Sequence, residues 1–332
     1  MSRLTVAALI FGLGAVVALV AWLGFGTVAV AFAELGWGIL LMVPFYALCL
    51  LVSTASWRMI FVSGQAPNFG TALLGLWIGT SVNVLLPVAT IGGEFAKARI
   101  LTRYGMVGID AGGSVVVDTT VQALSLVLWG LIGIGILLGT SVGTAPYVAL
   151  LASLLMFGLA MAALIGMQLV GMFAFLARVS SRLSSVMSIH GVPQVAANLD
   201  ANIRTLYRQP WRIAGATGMR LLARISMVGE VWIAAALMGY GITVWDAIML
   251  KSLSMALRGA AFFVPAGLGI QEGAFILVGT LAGLPPELTL TLSLATRARE
   301  IISSIPALFV WRKIEGAALA TLLLHRDKVS DT

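Results

Sequence analysis

One motif occurs twice in this chain, and each copy lies inside a long apolar stretch. The first copy, PVATIGGE, runs from Pro87 to Glu94, and the second, PAGLGIQE, runs from Pro265 to Glu272. Each begins with Pro, continues with six residues rich in Gly and Ala, and ends in Glu. Pro breaks a helical hydrogen bond, and a carboxylate inside an apolar segment is costly. Two broken helices with charge, in matching positions of two halves, are typical of a transport-type site in a membrane.

The composition defines the broad class of the protein. Of the 332 residues, 60% are hydrophobic and only 10% are charged, against roughly 25% charged in a soluble domain. The longest polar segment, about 178–211, is too short for a soluble catalytic domain. We therefore predict an all-α polytopic membrane protein.

The same composition bears on metals, cofactors and nucleic acid. The chain has one Cys and two His, and the two His are far apart in polar segments. We expect no intramolecular disulfide, no metal site and no cofactor. No nucleic-acid-binding motif is present, and the basic residues follow the pattern of membrane topology instead.

Hydropathy predicts six full spans and two interrupted regions. Each interrupted region is split by the Pro-to-Glu motif into arms of about 12–16 residues, which is below the ~20 residues that a span needs. The apolar run at 4–23 could be taken for a signal peptide, but it is longer than the ~7–15 residues of a typical signal core, so we interpret it as a span. The spans are 4–24, 37–57, 112–138, 147–172, 213–239 and 289–311, and the interrupted regions are 71–104 and 247–283.

Charge placement predicts that both interrupted regions are re-entrant hairpins. With the N-terminus in the cytoplasm, the basic residues lie inside, among them the group from Arg178 to Arg224. The external loops near 25–36, 139–146, 240–246 and 284–288 then contain no Lys or Arg. This is the positive-inside pattern. If 71–91 were a full span, the five-Arg loop at 178–212 would lie outside. The hairpins therefore enter from opposite faces, and the two halves form an inverted repeat.

This topology divides the chain into four parts. The first membrane half is 1–140 and the second is 147–315. Between the spans 147–172 and 213–239, residues 175–210 are expected to form one or two cytoplasmic interfacial helices, with a solvated linker as the alternative. The tail, 316–332, is predicted to be cytoplasmic, as is the N-terminus.

The two motif carboxylates are the leading candidate site residues. Glu94 and Glu272 could simply cap the half-helices that they begin, because an acid offsets the positive end of a helix dipole. They could also bind a proton, a cation or a lipid headgroup, since a charge at membrane depth costs roughly 2.5–3.5 kcal/mol and needs a reason. The residues predicted to form the hairpin turns are Pro87, Gly92, Gly93, Pro265, Gly267 and Gly269.

A surplus of cations near the second motif favours an anionic ligand. Four cations, Lys251, Arg258, Arg297 and Arg299, face two nearby acids, Glu272 and Glu300, and the planar Arg fork matches phosphate oxygens. The alternative is a set of structural ion pairs such as Arg297–Glu300 or Arg258–Glu272. We expect a headgroup site formed by Glu94, Lys97, Asp118, Arg258, Glu272, Arg297, Arg299 and Glu300.

Four polar residues, two of them already in the expected site, have interpretations of their own. Lys97 lies one turn from Glu94 and could either reach the cavity or anchor the cytoplasmic end of its segment. Asp118 and Gln122 are spaced i,i+4 and should face the same direction. Glu230 is expected to pair with a cation such as Arg224.

Three strings of the sequence resemble a known family. They are SVNVLLPVATIGGEFAKARIL, VVVDTTVQ and RGAAFFVPAGLGIQEGAFILVG…LPPELTLTLSLATRAREII. They are similar to the lysylphosphatidylglycerol synthase transmembrane-region family, also called the flippase-like family, over nearly the whole chain. The second and third strings are most similar to the hopanoid-biosynthesis-associated branch.

The resemblance implies a bacterial inner-membrane protein of lipid metabolism that moves a lipid between leaflets. Its partner would be a membrane lipid, anionic or triterpenoid. Larger members of the family carry a soluble aminoacyl-transferase domain, and this chain ends at Thr332 without one, which argues against lysyl transfer. We expect a lipid flippase rather than an enzyme.

Two other functions remain open at this point. The protein could be an integral-membrane enzyme that modifies a lipid headgroup, with Glu94, Asp118 or Glu300 as general base. It could also be a non-catalytic scaffold that docks lipid-biosynthesis enzymes through residues 175–210. The sequence also leaves open that the protein forms a homo-oligomer.

Overall fold

All regular structure that the computed structural model describes is helical. The described residues are 35–61, 65–85, 91–139, 165–175, 192–261 and 267–330, with isolated residues between these ranges. The prediction of an all-α protein is confirmed for this part of the chain. Its helices are α1 (Val43–Ile60), α2 (Phe69–Leu85), α3 (Ile91–Arg103), α4 (Gly108–Leu138), α5 (Val192–Tyr207), α6 (Pro210–Ser226), α7 (Val228–Leu237), α8 (Val244–Ala260), α9 (Ile270–Leu281) and α10 (Pro286–Ser330).

Two of the described helices are long and apolar enough to cross a membrane. They are Gly36–Ile60, in which a 3-10 segment leads into α1, and α4. The 31 residues of α4 extend about 46 Å, which exceeds the ~30 Å of a bilayer core. Both helices coincide with predicted spans, 37–57 and 112–138.

The other predicted spans differ from the structure or fall outside its described part. The span predicted at 213–239 is two helices, α6 and α7, separated at Met227. The span predicted at 289–311 is part of the 45-residue helix α10. Span 4–24 lies outside the described residues, and only the end of 147–172 is described.

Four short helices form two pairs of arms within the interrupted regions. The first pair is α2 and α3, of 17 and 13 residues, and the second is α8 and α9, of 17 and 12 residues. Their lengths are about 18–26 Å at 1.5 Å per residue. The arms within each pair pack against each other. In the first pair the chains are antiparallel, since Gly75 lies beside Lys97 and Gly79 beside Gly93.

The predicted turn residues are only partly described. Pro87 and Pro265 lie outside the described residues. Gly92 and Gly93 belong to the first turn of α3, not to the turn between the arms. Gly267 and Gly269 do lie in the turn before α9, with φ of 62° and 78°, which only Gly adopts without strain.

The two halves interlock through reciprocal contacts. Arm α2 packs against α10, and arm α8 packs against α4. The first arm of each pair therefore contacts the long helix that follows the other pair. Helix α1 packs against α6 in the same interface between halves. This arrangement brings the charged residues of α3, α4, α6, α8, α9 and α10 toward the middle of the molecule.

The segment predicted as interfacial contains helix α5, and residues 176–191 of it lie outside the described part. Helix α5 packs against α4, and its Ile203 and Leu206 are buried there. The buried carboxylate of Asp200 accepts hydrogen bonds from the backbone N–H groups of Phe173 and Ala174, at 3.2 and 2.8 Å. Residues 192–207 thus form a helix that packs on α4 and is hydrogen-bonded to residues 173 and 174.

Candidate functional site

A buried charge network centred on Asp118 of α4 joins arm α3 to α4 and α6. The ammonium of Lys97 lies 2.9 Å from Glu94 and 3.3 Å from Asp118. Asp118 also pairs with Arg220 of α6 and accepts a 3.0 Å hydrogen bond from Gln122. Asp118 is fully buried and Lys97 is 2% exposed. Asp118 and Gln122 therefore face the same direction, as predicted, and contact each other directly.

The second network is centred on Glu230, a residue whose partners the sequence did not reveal. This fully buried carboxylate of α7 binds Lys251 of α8 and Arg299 of α10, the latter at 2.9 Å. The expected partner, Arg224, instead donates to Ser125 and to the backbone carbonyl of Gln122. Helical spacing could not have found these partners, because they lie on two other helices.

Glu272 holds the turn before α9 and also forms an ion pair. One carboxylate oxygen accepts a 2.8 Å hydrogen bond from the backbone N–H of Gly269, as a helix cap does. The other oxygen accepts from Arg297 at 2.9 Å. Arg297 also donates to the carbonyl of Gly267 at 3.3 Å. Glu272 therefore caps its half-helix and ties the turn to α10.

The remaining cation of the predicted set, Arg258, binds Glu300. Their atoms lie 3.0 Å apart, and Arg258 also contacts the amide oxygen of Gln271. The structural pairs suggested from sequence were Arg297–Glu300 and Arg258–Glu272. The structure contains the same four residues with the partners exchanged. Side-chain spacing on one helix could not decide between the two pairings.

Two adjoining cavities lie between the halves. One, of about 250 Å³, is lined by residues of α4, α6, α8, α9 and α10; the other, of about 210 Å³, is lined by residues of α1, α2, α4, α6 and α8. They share Arg224, Met227 and Met255 in their walls, and together we call them the central cavity. Its charged wall residues are Arg220, Arg224, Lys251, Arg258 and Glu300.

Only part of the predicted site lines this central cavity. Arg258 and Glu300 do so directly. The other predicted residues lie outside both sets of wall residues, in the ion pairs behind the wall: Glu94, Lys97, Asp118, Glu272, Arg297 and Arg299. The sequence missed Arg220 and Arg224, which were interpreted as part of the cytoplasmic basic group. Their i,i+4 spacing inside a predicted span was the available signal.

Several polar atoms at the central cavity have no partner among the described residues. They belong to Arg220 (Nε), Ser254 (Oγ) and Glu300 (Oε2). Unsatisfied buried polar atoms are uncommon in folded proteins and call for an explanation. Here the three side chains line a space large enough for a polar ligand or water.

The networks and the cavity wall together carry a net positive charge. Their seven cations are Lys97, Arg220, Arg224, Lys251, Arg258, Arg297 and Arg299, against five carboxylates, those of Glu94, Asp118, Glu230, Glu272 and Glu300. From the sequence we expected two acids, Glu272 and Glu300, near the cations of the second motif. The structure adds a third, Glu230. Two positive charges remain in excess. Arg224 has no carboxylate partner within the described part of the chain.

The described residues contain no group of three or more His, Cys, Asp or Glu side chains that could hold a metal ion. The wall of the central cavity carries guanidinium, ammonium, amide and hydroxyl donors beside the carboxylate of Glu300. Such donors bind phosphate and carboxylate oxygens.

These features define a helical membrane protein with a charged cavity between two sets of short helices. Comparison with known families matches residues 6–306 to the family described as "Lysylphosphatidylglycerol synthase TM region". This chain belongs to that family. No curated protein and no solved structure matches the chain. Membership makes it a membrane protein linked to lipid modification or synthesis, with lipid as a plausible partner.

Proposed function

We propose that this protein moves a lipid with an anionic headgroup between the two leaflets of a bacterial inner membrane. The observation that carries the proposal is the central cavity, whose walls hold an excess of cations between the two halves. A headgroup in this cavity would avoid the hydrocarbon, where isolated charge is costly. The family supports a role in lipid metabolism. The resemblance of two sequence strings to the hopanoid-associated branch makes a triterpenoid lipid the second substrate class.

We further propose that the two arm pairs are re-entrant hairpins in an inverted repeat. The arms are about 18–26 Å long, shorter than the ~30 Å hydrocarbon core, so none is well suited to cross it alone. The reciprocal packing of α2 on α10 and of α8 on α4 is what an approximate two-fold relation between halves would produce. Opposed hairpins around one cavity would provide alternating access, with both termini in the cytoplasm.

Arg224 is the residue that we assign to the headgroup itself. It lines both parts of the central cavity, it lies beside Arg220, and its described partners are neutral oxygens. A guanidinium with neutral partners only gains most from an incoming phosphate, since charge-assisted bonds are about twice as strong as neutral ones. The other wall cations, Arg220, Lys251 and Arg258, already have carboxylate partners. They would contact the headgroup while they keep these ion pairs.

The carboxylates argue for transport over headgroup chemistry. Each of the three suggested general bases is engaged in an ion pair: Glu94 with Lys97, Asp118 with Lys97 and Arg220, and Glu300 with Arg258. Glu94 and Asp118 also lie outside the wall of the central cavity, so they do not face a headgroup bound there.

The test is a leaflet-resolved assay in proteoliposomes with a fluorescent phosphatidylglycerol. We expect the wild-type protein to accelerate its movement between leaflets. Arg224→Gln should slow that movement by roughly tenfold if the lost contact is worth about 1.4 kcal/mol. The matched control is Arg103→Gln, which removes the same charge from the exposed end of α3 and should leave the rate unchanged. Equal rates with and without wild-type protein would refute the proposal.

A further inference from the structure

A second cavity, almost entirely apolar, lies on the side of the protein. It has a volume of about 490 Å³, within the usual ~300–1,000 Å³ of small-molecule pockets. Helices α1, α2 and α10 form its walls. We call it the lateral groove, and its lining residues are Val43, Tyr46, Ala47, Leu50, Leu51, Leu73, Trp77, Ile302, Ser303 and Pro306.

The lateral groove opens on a surface that is itself apolar. Leu51 and Ile302 in its wall are 43% and 42% exposed, and neighbouring Leu48 and Ile305 are 48% and 46% exposed. An exposed apolar surface on a candidate membrane span is suited to hydrocarbon. The mouth of the groove thus faces the surroundings in which lipid chains lie.

The lateral groove and the central cavity share two wall residues. Tyr46 and Leu50 line both spaces. The ring of Tyr46 also lies 4.6 Å from the guanidinium carbon of Arg299, a residue of the Glu230 network. An apolar groove and a cationic cavity are therefore separated by the side chains of one helix, α1.

We propose that the lateral groove holds a hydrocarbon chain of the lipid whose anionic headgroup occupies the central cavity. The inference rests on the proposed function, and it adds the site of the chain. An amphiphile fits both spaces at once, because its charged end matches the excess cations and its chain matches the apolar walls. Tyr46 and Leu50 would lie beside the junction between the two ends.

The groove would direct the lipid more than it would tighten its binding. A chain that leaves the bilayer for the groove exchanges one apolar environment for another, so the hydrophobic effect contributes little. What remains is close packing against the walls. One wall is fixed where the Trp77 indole donates a 2.9 Å hydrogen bond to the carbonyl of Ser303, near Pro306, so α2 and α10 are joined at the groove.

The test uses phosphatidylglycerol with a photoreactive diazirine on its acyl chain, added to the full-length protein in proteoliposomes. After illumination, mass spectrometry maps the adducts. We expect adducts on the groove residues of α1, α2 and α10, and we expect Ile302→Trp to reduce them at least fivefold by filling the groove. The matched control is Ile301→Trp, because Ile301 is 41% exposed and lies outside the groove wall. Ala47→Trp against Leu48→Trp repeats the comparison on α1.

Adducts that are spread evenly over all exposed apolar surfaces, or that survive both groove-filling variants, would overturn the proposal. A groove filled by another part of the protein would give the same negative result. The leaflet assay separates this failure from that of the proposed function. Transport that depends on Arg224 without groove adducts would reject the groove alone, whereas groove adducts without transport would support chain binding and reject translocation.

Discussion

At the scale of single residues, the candidate site consists of buried charges that depend on each other. Asp118 is the clearest case, because it is fully buried and receives Lys97, Arg220 and Gln122 from three directions. Burying a charge is costly unless it is paired, and removing one partner leaves the other uncompensated. The stability of the fold is therefore linked to the same residues that shape the central cavity.

Replacing Asp118 by Asn should destabilise the protein. The substitution leaves Arg220 without a carboxylate partner in its network, and the loss of a buried pair costs about 3–5 kcal/mol. The free energy of unfolding, measured in detergent, should fall by that amount. The double variant Asp118→Asn/Arg220→Met should recover part of the loss, since it removes the stranded charge. Simple additivity of the two single substitutions would contradict this account.

At the scale of helices, much of the architecture could be predicted from hydropathy and the two Pro-to-Glu motifs. The arms α2–α3 and α8–α9 occupy 69–103 and 244–281, close to the interrupted regions 71–104 and 247–283. A Pro and a Glu inside an apolar run are local signals, so the sequence alone can predict a helix break there. No Pro marks the break at Met227, and Arg224 and Glu230, which flank it in the last turn of α6 and the first turn of α7, do not by themselves predict a break.

The pairing of charges could not be predicted, because it depends on contacts between distant helices. Glu230 meets Lys251 and Arg299 only after α7, α8 and α10 have packed together. Positive-inside counting also assigned Arg220 and Arg224 to the cytoplasm, whereas tertiary packing directs them into the cavity. A topology rule describes where cations usually lie, and cations that line a cavity between helices are its exceptions.

Gly93 should be essential for the contact between arms α2 and α3. A Cβ at this position would overlap the carbonyl oxygen of Gly79 and the amide of Asn83, which also accepts a 2.8 Å hydrogen bond from the Gly93 N–H. Gly93→Ala should therefore lower the free energy of unfolding by about 1–3 kcal/mol, the usual cost of overpacking. A lower melting temperature would report this loss. In the other arm pair, Gly273→Ala meets nothing within 4 Å and should be neutral or up to about 1 kcal/mol stabilising. Equal effects of the two would contradict a close approach of the backbones.

At the scale of the whole molecule, the site lies at the junction of two halves. Its cations and carboxylates come from both halves, and the reciprocal packing of α2 on α10 and of α8 on α4 surrounds it. A change in one arm pair would therefore alter the wall that both halves share. This is the structural basis on which a single cavity could be opened first to one side and then to the other.

The single cysteine of the chain offers a direct measure of the charge in the central cavity. Cys49 lies on a candidate membrane span, is half-buried, and lines the cavity. A small anionic thiol reagent should react with it faster than a cationic analogue, by roughly tenfold for each 1.4 kcal/mol of favourable potential, after each rate is normalised to a free thiol in solution. Arg224→Gln should reduce this preference, and Arg103→Gln should leave it unchanged. Faster reaction of the cationic reagent would show that the carboxylates, and not the cations, dominate the cavity, and an anionic headgroup would then be the wrong ligand.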